Sequence, residues 1–202
     1  MAKVYPQKPT NTSSNFPSSC SNNNKISKRE TYTLWMKSLV LHSNGCTVYD
    51  SRGHIVYRVD NYDRKGTREV NLMDVQGTSL CTIHKRLLGF GRWDGYRCSG
   101  GGGGSKPWFK VKRCNKMVKG KVACEIRVGR SQRYCIVRMG GKASTFRIVN
   151  KEGKIVAQVK QKQASSGIVL GDDVLTLEVE EDTDHSLIMA FVTVYGLICG
   201  RM

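Results

Sequence analysis

The sequence predicts a mainly β protein: a closed antiparallel barrel of about twelve strands around a buried hydrophobic C-terminal α-helix. Three observations carry that prediction. From Glu30 onward the apolar residues recur with a period of two, the period of a pleated strand with one buried face. About twelve such runs follow one another, separated by short turn-forming stretches. The chain then finishes on an apolar run of helical length, Leu187 to Ile198, interrupted only by Thr193.

Taken in order, residues 1–28 are rich in Ser, Asn, Pro and Thr and hold few aliphatics. Such a stretch buries too little surface to offset its ordering entropy, so a disordered N-terminal tail is expected there, with the barrel domain over 29–202. TYTLWMK opens the strands, and CTVYDSRGHIVYRVD reads as a hairpin turning at Ser51-Arg52-Gly53. In its second strand Ile55, Tyr57 and Val59 share one face, and Val56, Arg58 and Asp60 the other. EVNLMD, SLCTIHKR, a weaker GRWDGYRC, WFKVKRC, KVACEIRV, RYCIVRM, STFRIVN, KIVAQVKQ and DVLTLEVE complete the set. YDSRGHIVYRV and VNKEGKIVAQV align without a gap, matching at Gly53/Gly153, Ile55/Ile155, Val56/Val156 and Val59/Val159. A duplicated half-barrel and convergence on one turn chemistry both account for that echo.

Many short strands suit a sandwich or a barrel. The last run decides between them. Asp182, Thr183 and Asp184 are good capping residues for a helix N-terminus. The apolar stretch after them is shorter than the ~20 residues a bilayer-spanning helix needs. A helix apolar on every side has to be surrounded by protein. Twelve strands can close around it, so a core helix is expected and a membrane span is not.

The net charge is +17. Between His84 and Lys142 there are 16 Lys and Arg against two acids, whereas residues 171–184 hold seven acids and no base. An excess of this size draws polyanions. One reading is that the two regions neutralise each other in the fold. The eight cysteines include no C-x-x-C pair, and several alternate with apolar residues in strands, where a reduced Cys acts as a small hydrophobe. With no apolar leader at the N-terminus, an intracellular, reduced protein is expected: cytoplasmic, peripheral at a membrane, or nuclear.

YTLWMKSLVLHSNGCTVYDSRGHIVYRVDNYD, LMDVQGTSLCTIHKRLLGFGRWDGYRC and LGDDVLTLEVEEDTDHSLIMAFVTVYGLI, together with the KIVAQVKQK hairpin, span about Tyr32 to Ile198. In combination they resemble the plant LURP-one-related family, one branch of the Tubby C-terminal-like fold. The chain departs from the usual pattern in its glycine-rich loop, 98–108, and in the very basic NKMVKGKVACEIRVGRSQR. The resemblance implies a barrel shared with tubby-like proteins and phospholipid scramblases, and a link with plant defence. The tubby relationship further implies phosphoinositide binding at a basic face. No tubby binding residue carries over, because no binding motif is shared.

The candidate ligand-binding residues therefore come from charge and alternation. In FKVKRC, Phe109 and Val111 face one way and Lys110 and Lys112 the other. In ACEIRV, Cys124, Ile126 and Val128 point inward and leave Arg127 outside. Lys160 and Lys162 share a face with Gln158, while Lys85 and Arg86 close a strand beside a loop that leads to Arg92. A barrel fills its interior with apolar side chains, so these eight cations are expected outside. There they form a patch for an anionic phospholipid or phosphoinositide, an acidic protein or a nucleic acid.

For nucleic acid, Trp93, Tyr96, Trp108 and Phe109 supply rings near cations, but no RRM, KH, helix-turn-helix or zinc-finger pattern accompanies them. GFGRWDG follows no βαβ strand and opens no helix, so it is not a nucleotide loop. The acidic segment lacks the EF-hand spacing. No nucleophile elbow, H-E-x-x-H or P-loop is present. A monomeric, non-catalytic binding protein without metal or cofactor is the expectation.

Overall fold

Every strand of the barrel is joined to the next in chain order, and the last closes on the first. A computed structural model of the chain describes residues 29–39, 44–61, 69–87, 91–98, 106–115, 121–140 and 144–202. The tail expected over 1–28 and the middle of the glycine-rich loop lie outside the described residues. The strands are β1 (Arg29–Trp35), β2 (Asn44–Tyr49), β3 (Ile55–Asn61), β4 (Glu69–Met73), β5 (Ser79–Lys85) and β6 (Arg92–Arg97). They continue as β7 (Phe109–Arg113), β8 (Val122–Val128), β9 (Gln132–Arg138), β10 (Phe146–Asn150), β11 (Ile155–Gln161) and β12 (Val174–Glu180). Closure comes from β1 running antiparallel to β12, with Thr33 opposite Thr176. An even number of strands lets an antiparallel meander close on itself and removes both sheet edges.

Twelve strands enclose more space than inward side chains can fill alone. The helix His185–Ile198 occupies it, and every residue from Leu187 to Gly196 is buried. Asp184 caps it, its Oδ1 accepting from the Leu187 N–H at 3.1 Å. Inside the helix the Thr193 hydroxyl donates to the Met189 carbonyl at 2.9 Å, so its polar atom is satisfied within the core. Phe191 meets Phe109 edge-on at 5.3 Å and Tyr134 at 5.5 Å, and Phe146 meets Tyr195 at 4.6 Å. The terminal apolar run is thus core, as its length and cap required.

The echo between the two hairpins resolves into turn chemistry. Asp50 Oδ1 accepts from the N–H groups of Arg52 (2.9 Å) and His54 (2.8 Å), and Asn150 Oδ1 from those of Glu152 (3.1 Å) and Lys154 (2.9 Å). The β4–β5 turn repeats the device, with Asp74 Oδ1 accepting from Thr78 at 2.8 Å. In each, the fourth residue is a glycine with φ between 81° and 85°, a conformation other residues resist. Equivalent elements of a doubled twelve-strand barrel would lie six strands apart, whereas β2–β3 and β10–β11 lie eight apart. The match is convergence, not duplication.

These three turns lie at one end of the barrel, with the start of the helix. The opposite end carries the ends of β1, β3, β5, β7, β9 and β11, the connection 162–173 and the helix C-terminus. The two ends are here called the turn end and the loop end.

Candidate anion-binding face

Alternation fixes which side chains point outward, and register decides which of them meet. Phe109 and Val111 of β7 and Ile126 and Val128 of β8 are buried, which turns Lys110, Lys112 and Arg127 out to solvent. Lys110 lies opposite Arg127, and Arg127 lies opposite Arg133 of β9. Three cations therefore form one row across three adjacent strands, with directly opposed Cβ atoms about 5 Å apart. Beside that row Arg92 of β6 lies opposite Lys112, and the Arg86 N–H donates to the Arg92 carbonyl at 3.0 Å. Six exposed cations thus share the outer wall of β5–β9 with two acids, Asp94 and Glu125.

In the register Asp94 lies opposite Lys110 and Glu125 opposite Lys112, so two carboxylates face six cations on this wall. Asp94 is buried and faces Arg86, Nε to Oδ2 3.6 Å. Among the described residues no ion pair reaches Arg92, Lys110, Lys112, Arg127 or Arg133. On the other side of the barrel several cations are paired. Arg29 meets Glu180 at 2.6 Å, Arg58 meets Asp60 at 2.6 Å, and Lys37 meets Asp173 at 3.3 Å. The acidic segment 171–184 places much of its charge there and on the helix cap. Among the described residues the basic segment meets it in one ion pair, Arg97 to Asp184 at 3.0 Å, with the Arg97 guanidinium over the Trp108 ring at 4.5 Å, so the mutual neutralisation considered from sequence is slight.

Three of the eight cations chosen from sequence fall elsewhere. Lys85 continues the inward series of Cys81 and Ile83, and at the rim its Nζ lies 5.8 Å over the buried Trp93 ring. Lys160 lies on β11, beyond β9 and β10, and pairs with Glu178 at 3.3 Å. Gln158, grouped with it from sequence, is buried and donates to the Met139 sulfur. Lys162 donates to the Thr33 hydroxyl and borders a polar groove of about 540 Å³, with Thr31, Tyr49 and the turn 50–53 around it. Two walls of the barrel therefore hold what sequence merged into one patch. Arg133 was missed, although its alternation with Tyr134 and the buried Ile136 marks it as outward.

The aromatic residues sort the same way. Trp93 and Phe109 are buried, Trp108 packs against the core, and Tyr96 lies edge-on to His84 at 5.3 Å. Perturbed titration is found in the interior and at the carboxyls of Asp50 and Asp173, which lie below their usual range. Burial pushes the thiols of Cys46, Cys81 and Cys124 up to about 12. Burial, and then the Glu30 carboxylate 2.7 Å away, raises the Tyr32 hydroxyl, which also contacts His185 Nδ1 at 2.7 Å. Among the described residues no three His, Cys, Asp or Glu side chains are grouped to hold a metal ion. No helix among them is long and apolar enough to cross a membrane.

Comparison with known proteins gives a consistent relationship. The family model described as LURP-one-related matches residues 30–196. Protein LURP-one-related 4 of Arabidopsis thaliana is 44% identical, over 99% of this chain and 88% of that protein. Protein LURP-one-related 11 of the same plant is 39% identical, over 98% of this chain and 89% of that protein. A crystal structure of another Arabidopsis thaliana protein superposes with a TM-score of 0.58 at 16% identity, covering 86% of this chain and 93% of that one. That likeness speaks for the barrel alone. With a family match over most of its length and relatives this similar, the chain belongs to the LURP-one-related family.

Proposed function

We propose that the chain is a non-catalytic binding protein whose β5–β9 wall holds the phosphate groups of an anionic phospholipid, a phosphoinositide above all. One observation carries the reading: Lys110, Arg127 and Arg133 oppose one another across three strands, with Asp94 of β6 opposite Lys110 and no ion pair to any of the three cations among the described residues. Like charges set directly opposite destabilise a sheet. A row of three is explained by a ligand that brings negative charge to it. Each cation near an acidic leaflet contributes ~1 kcal/mol, so the row with Arg92 and Lys112 gives a useful affinity without a membrane span.

The wall also favours lipid over single-stranded nucleic acid. Bases need exposed rings to stack on, and the Trp93 and Phe109 rings lie inside the barrel. The cations form a compact cluster on neighbouring strands, the shape a phosphorylated headgroup needs. A protein held reversibly at an acidic membrane also fits the defence-related signalling that the family resemblance implies.

Co-sedimentation with vesicles tests the reading. Wild type is compared with Lys110→Gln/Arg127→Gln/Arg133→Gln on phosphatidylcholine containing phosphatidylserine or phosphoinositide at matched surface charge, across a salt series. The expected result is a preference for phosphoinositide that the triple variant loses. Binding that tracks charge alone and vanishes with salt would reduce the wall to unspecific attraction.

A further inference from the structure

Six large apolar side chains are exposed among the described residues, and five stand at the loop end of the barrel. Leu39 (47% exposed) follows β1, Leu87 (78%) follows β5, and Ile168 (66%), Val169 and Leu170 lie between β11 and β12. Only Val75 stands at the turn end. Single exposed apolar residues are ordinary on a protein surface. Five at one end is not ordinary: Leu39 and the 168–170 stretch stand by the neighbouring strands β1, β11 and β12, and Leu87 stands across the rim from them, which marks this end as a surface made to be covered.

The 162–173 connection is built for this. Gln163 bridges to Val169, Ala164 N–H donates to the Ile168 carbonyl at 2.8 Å, and Leu170 N–H donates to the Lys162 carbonyl at 2.9 Å. It is a short hairpin whose backbone groups are largely satisfied before any partner arrives, as entry into an apolar medium requires. Arg201 reaches the Asp172 carbonyl, which ties the base of the hairpin to the end of the core helix. Cations flank one of the apolar tips: Lys85, Arg86, Arg92 and Arg113 lie at the strand ends beside Leu87, while the base of the hairpin carries Asp172 and Asp173, the latter paired with Lys37.

We infer that the barrel docks loop end first on an anionic bilayer, with Leu87, Ile168 and Leu170 entering the interface and the flanking cations meeting the headgroups. Apolar tips at an end that also presents the cations beside Leu87 complement an acidic leaflet. The inference rests on the lipid reading and adds orientation and depth to it. The wall supplies headgroup contacts, and the tips supply a component of binding that salt does not screen.

Ile168→Ser/Leu170→Ser changes no charge and touches only exposed side chains, so the variant folds. Co-sedimentation with phosphatidylcholine–phosphatidylserine vesicles is expected to weaken by about tenfold or more, with loss of the fraction that survives high salt. Val75→Ser, at the far end, should bind as wild type. Leu170→Trp should be quenched by bromine on the acyl chains beyond the wild-type level, and Val75→Trp should not. If the double variant binds like wild type while the wall triple variant loses binding, end-first docking is overturned and the lipid reading stands. If wild type binds no vesicle, both fall. A wild-type dimer on gel filtration that the double variant turns into a monomer, with vesicle binding unchanged, would overturn the inference by showing that the tips cover a second copy of the chain.

Discussion

Arg127 lies between Lys110 and Arg133 in the register of β7, β8 and β9, so Arg127→Gln removes two opposed like-charge contacts at once. Each such contact destabilises a sheet by roughly 0.2–1 kcal/mol. No ion pair is lost with the substitution, because Arg127 has none among the described residues. The stability gain is therefore about 1 kcal/mol, which in a domain of this size raises the melting temperature by roughly 2–4 °C. Thermal melts at rising salt add a second signature. The repulsion is screened over about 10 Å at 0.1 M, so the wild-type melting temperature should climb toward that of the variant as salt increases. A variant that melts lower than wild type, or a gap unchanged by salt, would refute the view that the row is held at a cost in stability.

Other predictions come from the interior and the turns. A Cβ on Gly95 would stand 2.2 Å from ring carbons of the fully buried Phe109, so Gly95→Ala should destabilise by about 1–3 kcal/mol in chemical denaturation. The His54 N–H first, and then that of Arg52, hold the Asp50 carboxyl below its usual range. A carboxyl lowered in the folded state stabilises above its unfolded pKa of about 4 and loses that contribution as pH falls through the folded value. Asp50→Ala should accordingly flatten the fall of melting temperature below about pH 4. Burial keeps Cys46, Cys81 and Cys124 as thiols, so iodoacetamide at mildly alkaline pH should label the exposed Cys98 well before them, as read by peptide mass spectrometry.

Much of the barrel was legible because its signal is local. Inward Cys81 and Ile83, or Phe109 and Val111, declare a strand face within a few residues, and all twelve runs became strands. The helix was legible because an apolar surface on every side admits one kind of surrounding. What alternation cannot carry is the distance between strands. Lys160 and Arg127 look alike in sequence, yet β9 and β10 separate their strands and Glu178 neutralises one of them. The row Lys110–Arg127–Arg133 depends on register, which hairpin lengths fix only once the fold is built. Lys85 follows the inward series two residues after Ile83, yet as the last residue of β5 it is exposed at the rim, where its ammonium lies over Trp93. The hairpin echo left duplication and convergence both open in sequence, and the shared Asx-and-glycine turn, repeated at the β4–β5 turn, favours convergence.

Titration calorimetry with a soluble inositol polyphosphate on wild type and Lys110→Gln/Arg127→Gln/Arg133→Gln tests the central claim most directly. Three cations at ~1 kcal/mol each amount to a loss of roughly a hundredfold in affinity. Saturable binding by wild type, weakened to that extent in a variant that melts no lower, is the predicted result. Equal affinity in the two proteins, or no saturable binding by wild type, would contradict the assignment of this wall as a phosphate-binding face.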